Sequence, residues 1–325
     1  MSGSPLLAST ELSLASVTGF GCVVRDQSRR NVVERVETEA GGYVIKCPAS
    51  SAEVVSAWRL ASARRFRRLA PEFIATPAGP EILTTRLLEG GMPFGARRGD
   101  RPDAGANFEV GRAISWLHRF PSLGVGPSPI PAPFHDPWPS TRDLVEMSWA
   151  TRTVAEVIQG SPALSDVPRQ VFSTWTQEVA IHGDLRDDNI LLVPGPKPRV
   201  VFVDWETFGV GDPAWDVGCF LGERIAWWIW RLGEVETESL SSPHHGVSLN
   251  ELQSDVGAFL DGYGSPNSDF MDRATAFSAA RLIQRSIETS AVTDKISRSC
   301  VLMLQVAANI LEDPAAARRE LLAAE

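Results

Sequence analysis

Asp184, Asn189 and Asp204 are the side chains best suited to chemistry in this 325-residue chain. They fall within one stretch, residues 181–206, which reads IHGDLRDDNILLVPGPKPRVVFVDWE. Asp184 and Asn189 lie five positions apart, just before the apolar run Ile190 to Val193. A Pro/Gly-rich segment, Pro194 to Pro198, then reverses the chain into a second apolar run, Val200 to Val203. Two apolar runs joined by such a turn predict a β-hairpin. A hairpin returns Asp204 to the neighbourhood of Asp184 and Asn189. A carboxamide and two carboxylates brought together offer oxygen ligands, which suit Mg²⁺ shared with phosphates. The chemistry this implies is phosphoryl transfer. His182, Asp184 and Asn189 also meet the H-x-D-x-x-x-x-N spacing, in which the Asp takes a hydroxyl proton, the Asn holds metal and a later Asp bridges metal to phosphates.

HGDLRDDN, then VDWE and GDPAWDVG, resembles the aminoglycoside phosphotransferase and choline kinase family of the kinase-like fold. The likeness runs from about residue 17 to the end and is sharp over residues 181–218. It implies an α+β, two-lobed protein-kinase-like fold. The small β-rich nucleotide-binding lobe would be residues 1–90, and the larger, mainly helical catalytic and acceptor-binding lobe residues 91–325. It implies ATP, or GTP, as phosphoryl donor with Mg²⁺ as cofactor. Asp184 would orient the acceptor hydroxyl, and Asn189 and Asp204 would hold the ion. Arg186 stands where a His is common in the family and would touch the γ-phosphate. His182, Asp212 and Asp216 would support the loop from behind, Asp216 by hydrogen bonds to its backbone, while Asp212 also suits an N-cap before Pro213.

The elements ahead of this stretch read as β structure to about residue 48. Gly19 and Gly21 form a Gly-x-Gly between β-formers, which serves either as a plain turn or as a close approach to phosphates. Strands are expected at Val32 to Val36 and, after a Gly41-Gly42 turn, at Tyr43 to Lys46. Lys46 resembles the strand lysine that pairs with nucleotide phosphates. A helix is expected over residues 51–70, with Val54, Trp58 and Ala61 at i, i+4 and i+7 and Phe66 and Leu69 continuing the stripe. The family's acidic partner for Lys46 would fall near Ser62, which cannot serve. Either Glu53 takes that part or Lys46 lacks that partner. Arg59, Arg64, Arg65, Arg67 and Arg68 make either a solvated face or a docking surface for an acidic protein partner. A strand at Glu81 to Thr85 leads to Arg86, Leu87 and Leu88, which by resemblance read the adenine edge.

Later segments predict helices at Phe108 to His118, Thr141 to Gln159 and Val167 to Glu178, with a proline-rich surface loop, Pro121 to Pro139, between the first two. His118 is expected to pack or cap. Gly209 to Pro213 reads as a turn. Of Trp227, Trp228 and Trp230, which cannot all face one core, one is left to the core or to the substrate cleft. Glu234 to Leu249 reads as a loop. The C-terminal stripes are Ala276, Ala280, Ile283, Ile287 and then Val301, Leu304, Ala308, Leu311.

Composition narrows the function classes. The chain is 43% hydrophobic and 22% charged, with net charge −9 and pI near 5.2. That charge disfavours nucleic-acid and anionic-membrane partners. Four scattered cysteines without CxxC spacing suggest neither a zinc site nor a disulfide framework. No secretory signal or membrane-spanning run is evident, so the expected location is cytoplasmic. Neither a GxSxG nor a P-loop motif occurs. Three readings follow: an O-phosphotransferase acting on a small-molecule hydroxyl, a tailoring kinase acting on Ser/Thr of a precursor peptide, and a nucleotide-binding scaffold without turnover.

Overall fold

The structure is a computed structural model. It describes residues 23–26, 32–38, 41–47, 60, 66, 68–74, 83–94, 104–121, 125–131, 134, 147–196, 199–235 and 248–324. The chain divides into two compact units, one of Met1–Ala96 with Asp188–Phe208, the other of Arg97–Asp187 with Gly209–Glu325.

The first unit is built on sheets. Strands β1 (Val23–Asp26), β2 (Val32–Thr38), β3 (Gly41–Cys47), β4 (Phe73–Ile74) and β5 (Leu83–Arg86) form one five-stranded sheet in the order β1-β2-β3-β5-β4. Gly41 and Gly42 are not the expected turn: they lie inside β3 and pair with Thr38 and Glu37. β6 (Met92–Pro93), β8 (Ile190–Val193) and β9 (Arg199–Phe202) form a three-stranded sheet. The β8–β9 hairpin has the expected register, with Ile190 opposite Phe202 and Val193 opposite Arg199. Phe66, Phe202, Trp205 and Phe208 are buried in this unit, and Phe66 meets Phe208 edge to face at 5.6 Å. Of the helix expected over residues 51–70, Leu60 is helical. Phe66 and Arg68 lie in a tighter 3₁₀ turn, ahead of the Leu69–Ala70 bend and Pro71. Gly19, Gly21, Glu53, Ser62 and the arginines at 59, 64, 65 and 67 lie outside the described residues.

The second unit is helical. It holds α1 (Ala104–Leu117), α2 (Trp149–Gly160), the short α3 (Pro162–Ser165) and α4 (Val167–Gln170), then α5 (Pro213–Val235), α6 (Leu249–Tyr263), α7 (Ser268–Ala291), α8 (Arg298–Glu312) and α9 (Pro314–Glu320). β7 (Val179–Ile181) and β10 (Gly209–Gly211) form a two-stranded antiparallel ladder. Gly209 to Gly211 is therefore a strand and not the expected turn. Here the backbone donors and acceptors of β7 take the partners that a turn would have kept for itself.

Three more expectations change. The segment after Val167 is one short helix and a 3₁₀ turn, Phe172–Thr174, instead of one helix to Glu178. Asp212 accepts the Thr176 amide at 3.4 Å, which draws that segment out of helical geometry. The described part of the proline loop is not a free surface loop. Pro127 bridges Val210, the Ser128 amide donates to Val210 at 2.8 Å, and Phe134 stacks on Phe172. Ser128 comes so close because residue 209 is glycine: a Cβ there would meet the Ser128 nitrogen at 2.4 Å. The stripe of α8 is rotated from the expected one. Cys300, Met303, Leu304, Ala307 and Ile310 are buried, whereas Val301 is 52% exposed. α7 is buried on most of its circumference, with Arg281 inside it.

α1 and α6 approach closely through paired glycines. A Cβ on Gly111 would sit 2.1 Å from the Phe259 carbonyl oxygen, and one on Gly262 2.0 Å from that of Phe108. Backbone cannot yield as a side-chain tip can, so Gly111→Ala is expected to cost roughly 2 kcal/mol through overpacking. Thermal melting tests this, with a fall of roughly 5 °C expected; an unchanged melting temperature would show that the helices slide apart freely. Among the described residues no single helix is long and apolar enough to cross a membrane.

Candidate active site

The singled-out side chains fall into two groups, one in each unit. In the first unit the hairpin brings Asn189 and Asp204 to its open end, where the Val203 amide donates to the Asn189 carbonyl at 2.9 Å. Asp204 adopts the left-handed backbone conformation, with φ of 62°. This is uncommon for a residue with a Cβ, although Asp tolerates it better than most. It turns the chain sharply out of β9 into the 3₁₀ turn Trp205–Thr207. The Trp205 indole N–H closes that turn on the Phe202 carbonyl at 2.7 Å. Lys46, on the central strand β3, forms ion pairs with both Asp204 and Glu206, the second at 2.8 Å. Burial works against the Lys46 ammonium, but the two carboxylates outweigh it and hold its pKa above the usual lysine value.

Arg86 ends β5 opposite Tyr43, stacks its guanidinium over that ring and pairs with Glu72 at 2.9 Å. The Arg86 and Leu87 amides are already committed, to the Glu72 and Gly42 carbonyls, both at 2.8 Å. The Leu88 carbonyl accepts from Gly91.

In the second unit, the loop after β7 carries His182, Asp184 and Arg186. Asp216, at the start of α5, accepts the His182 and Gly183 amides at 2.8 and 2.9 Å. The Trp215 indole donates to the Gly183 carbonyl at 2.7 Å. His118 bridges this anchor to α6, with Nε2 3.1 Å from Asp216 and Nδ1 2.9 Å from the Tyr263 hydroxyl. Burial would raise the Asp216 carboxyl, but the His118 hydrogen bond and the amides bring it below the ordinary value. Asp212 caps α5 through the Ala214 amide at 2.9 Å and pairs with Arg273. His182 is buried beneath the loop, and its Nδ1 accepts the Asp184 amide at 3.3 Å.

Burial pushes the Asp184 carboxyl up, against the lowering charges of Arg281 and Arg186. Those arginines belong to a network that the sequence reading missed. Arg281 is held by Glu223 at 2.8 Å and by Glu288 at 3.1 Å. Glu288 also receives Arg186 at 3.4 Å and Arg285 at 3.5 Å. Asp187 pairs with the buried Arg224. The available signal was a charged residue, Arg281, set between Ala280 and Ile283 on the apolar stripe. Despite burial, Arg281 and Arg285 draw the Glu223 carboxyl down from 4.5 to about 2. Its folded pKa is thus depressed, so its contribution to stability is complete above the unfolded value and fades as pH falls through the folded one. Glu223→Gln is expected to cost about 3 kcal/mol at neutral pH, since it leaves a buried cation short of a partner. Melting curves of both proteins from neutral to acid pH should converge below pH 4.5; a gap that persists undiminished would contradict the assignment.

The profile of the APH phosphotransferase enzyme family matches residues 23–241, two thirds of the chain. The chain belongs to that family. This phosphotransferase is similar in structure to choline kinase LicA from Streptococcus pneumoniae, at 14% identity and TM-score 0.55, over 95% of this chain and 99% of that one. It is also similar to a choline/ethanolamine kinase family protein from Mesorhizobium loti, at 19% identity and TM-score 0.55, over 99% and 95% of the two chains. A third is spectinomycin phosphotransferase APH(9)-Ia, solved with ADP and spectinomycin, at 11% identity and TM-score 0.54, over 95% and 97%. At these identities the likeness is one of fold, and the fold is the kinase-like one. No curated protein sequence matches the chain. Family membership makes this protein a phosphotransferase that uses an alcohol group as acceptor, a kinase.

In the first unit the Asn189 and Asp204 side chains offer oxygen donors, which fit a hard cation, and the Glu206 carboxylate, paired with Lys46, lies within 4.8 Å of that of Asp204.

Proposed function

We propose that this phosphotransferase moves the γ-phosphoryl group of ATP to a hydroxyl of a small molecule. The observation that carries this reading is Lys46 held between the Asp204 and Glu206 carboxylates, beside the hairpin end that presents Asn189. A part-buried ammonium and a set of oxygen donors on one support are the parts needed to grip a metal-bound triphosphate. Asn189 and Asp204 would hold Mg²⁺, which supplies charge neutralisation on the phosphates when bound. Lys46 steadies the α- and β-phosphates. With the Arg86 and Leu87 amides spent on the sheet, the Leu88 amide is the donor for the adenine edge. Asp184 orients the acceptor hydroxyl and takes its proton, from a loop that Asp216 holds by two amides. Arg186, tethered by Glu288, meets the charge that builds on the transferring group.

A second reading moves the hydroxyl to Ser or Thr of a precursor peptide. The charge balance near Asp184 favours it over an amino sugar. Among the described residues of the second unit, Asp187 is matched by Arg224, Glu223 by Arg281, and Glu288 by three arginines. That balance leaves little net negative charge to hold a polycation. The test incubates the protein with Mg²⁺ and ATP against amino sugars, amino alcohols, neutral polyols and Ser/Thr peptides, and reads phosphorylated product by mass. Product from a small alcohol supports the first reading, and product from peptides alone supports the second. Stabilisation by Mg·ATP with no product from any acceptor would sink both and leave a scaffold.

A further inference from the structure

At Ser62 the sequence lacks the acidic residue that would normally pair with Lys46, and Glu53, the alternative, lies outside the described residues. The structure supplies two carboxylates from elsewhere, Asp204 and Glu206, two residues apart on the turn that leaves β9. They differ in what else they are asked to do. Asp204 is the residue assigned to the metal. Glu206 stands one residue beyond Trp205, whose indole is fastened to the Phe202 carbonyl and whose ring packs edge to face on Phe208 at 5.4 Å. The turn carrying Glu206 is thus fixed on both sides, and the left-handed conformation of Asp204 lets both carboxylates reach one ammonium. The Glu206 side chain is 23% exposed and that of Lys46 16%, so their pairing is only partly screened by water.

We infer that Glu206 is the standing counter-ion of Lys46, taking the part that a glutamate on the helix after β3 would otherwise play. Asp204 turns to the metal-bound nucleotide, and Glu206 keeps the lysine aimed while Asp204 is engaged elsewhere. Glu206 is a positioning residue: it acts on the nucleotide only through Lys46. This inference rests on the nucleotide site proposed above, but it has a readout that needs no nucleotide.

The first measurement is titration of Lys46 in nucleotide-free protein, by NMR of isotopically methylated amines or by its rate of amine modification at fixed pH. Glu206→Gln is expected to lower the Lys46 pKa and raise its modification rate several-fold. Glu53→Gln is expected to change neither. The second measurement is steady-state kinetics with any acceptor that the panel above yields. Loss of one charge-assisted hydrogen bond to Lys46 should raise the nucleotide KM roughly tenfold. The Mg²⁺ concentration needed for half-maximal rate should stay unchanged, and Glu206→Asp should recover part of the loss.

An unchanged Lys46 titration in Glu206→Gln overturns the inference. So does a Glu53→Gln variant that reproduces the effects expected of Glu206→Gln, since the helix would then hold the lysine after all. A rise in the Mg²⁺ requirement without a change at Lys46 overturns it too, and makes Glu206 a metal ligand. If the wild-type protein neither binds nucleotide nor transfers phosphate, the proposed function fails. The Lys46 titration alone then decides whether Glu206 is its partner.

Discussion

Asp184→Asn abolishes phosphoryl transfer and leaves Mg·ATP binding nearly intact. Asparagine has the shape of aspartate and can still accept a hydrogen bond, but it cannot take a proton. The loop that carries residue 184 is held independently of that side chain, by Asp216 on the His182 and Gly183 amides and by the Trp215 indole on the Gly183 carbonyl. The substitution therefore removes chemistry without removing structure. A positioned proton acceptor is worth about 10²- to 10⁴-fold in rate, so a loss of about 10³-fold in kcat is expected. The nucleotide contacts assigned to Lys46, Asn189 and Asp204 belong to a different group of residues, and calorimetric titration with Mg·ATP should give a Kd within about threefold of wild type. Wild-type activity should also show an acidic limb, because burial raises the Asp184 carboxyl and its proton must leave before it can work. Nucleotide binding lost in parallel with rate, or rate retained, would mean that the role of Asp184 is misassigned.

Asp204→Asn weakens Mg·ATP instead. Asn is the residue best able to replace Asp at a φ of 62°, since both tolerate the left-handed region, so the turn into Trp205 survives. What disappears is one negative charge facing Lys46 and the proposed ion. A metal ligand that loses its charge costs tenfold or more in affinity, and a fall of about that size in Mg·ATP binding is expected. The contrast lies in metal-free nucleotide. Without the ion, a carboxylate facing polyphosphate is repulsive, so ATP measured in chelator should bind the variant as well as wild type or better. Equal weakening with and without Mg²⁺ would point to a damaged turn, and unchanged affinity for Mg·ATP would contradict the metal assignment.

The sequence carried some features to the register and others not at all. The β8–β9 hairpin was legible because its signals are local: two apolar runs, a Pro/Gly turn, and polar residues at both mouths. The cap at Asp212 before Pro213 was legible for the same reason. Reading failed where a distant partner decided the outcome. Gly209 to Gly211 has the composition of a turn, but β7 supplies a ladder and makes it a strand. The described part of the proline loop packs only because Gly209 leaves room for Ser128. The stripe on α8 was misplaced by about one position, since Val, Leu, Met and Ile residues lie on several faces of that helix and its neighbours choose among them.

The proposed chemistry came from sequence alone. Asp184, Asn189 and Asp204, in that order around a hairpin, match the spacing expected of a phosphoryl-transfer loop, and such spacing is short-range information. The charge partners were decided by tertiary structure. Lys46 meets Glu206 across 160 positions, and Arg186 meets Glu288 across 102. Coulombic attraction depends on distance in space and leaves no periodic trace along a chain, so only the folded protein could show which acid each base would find.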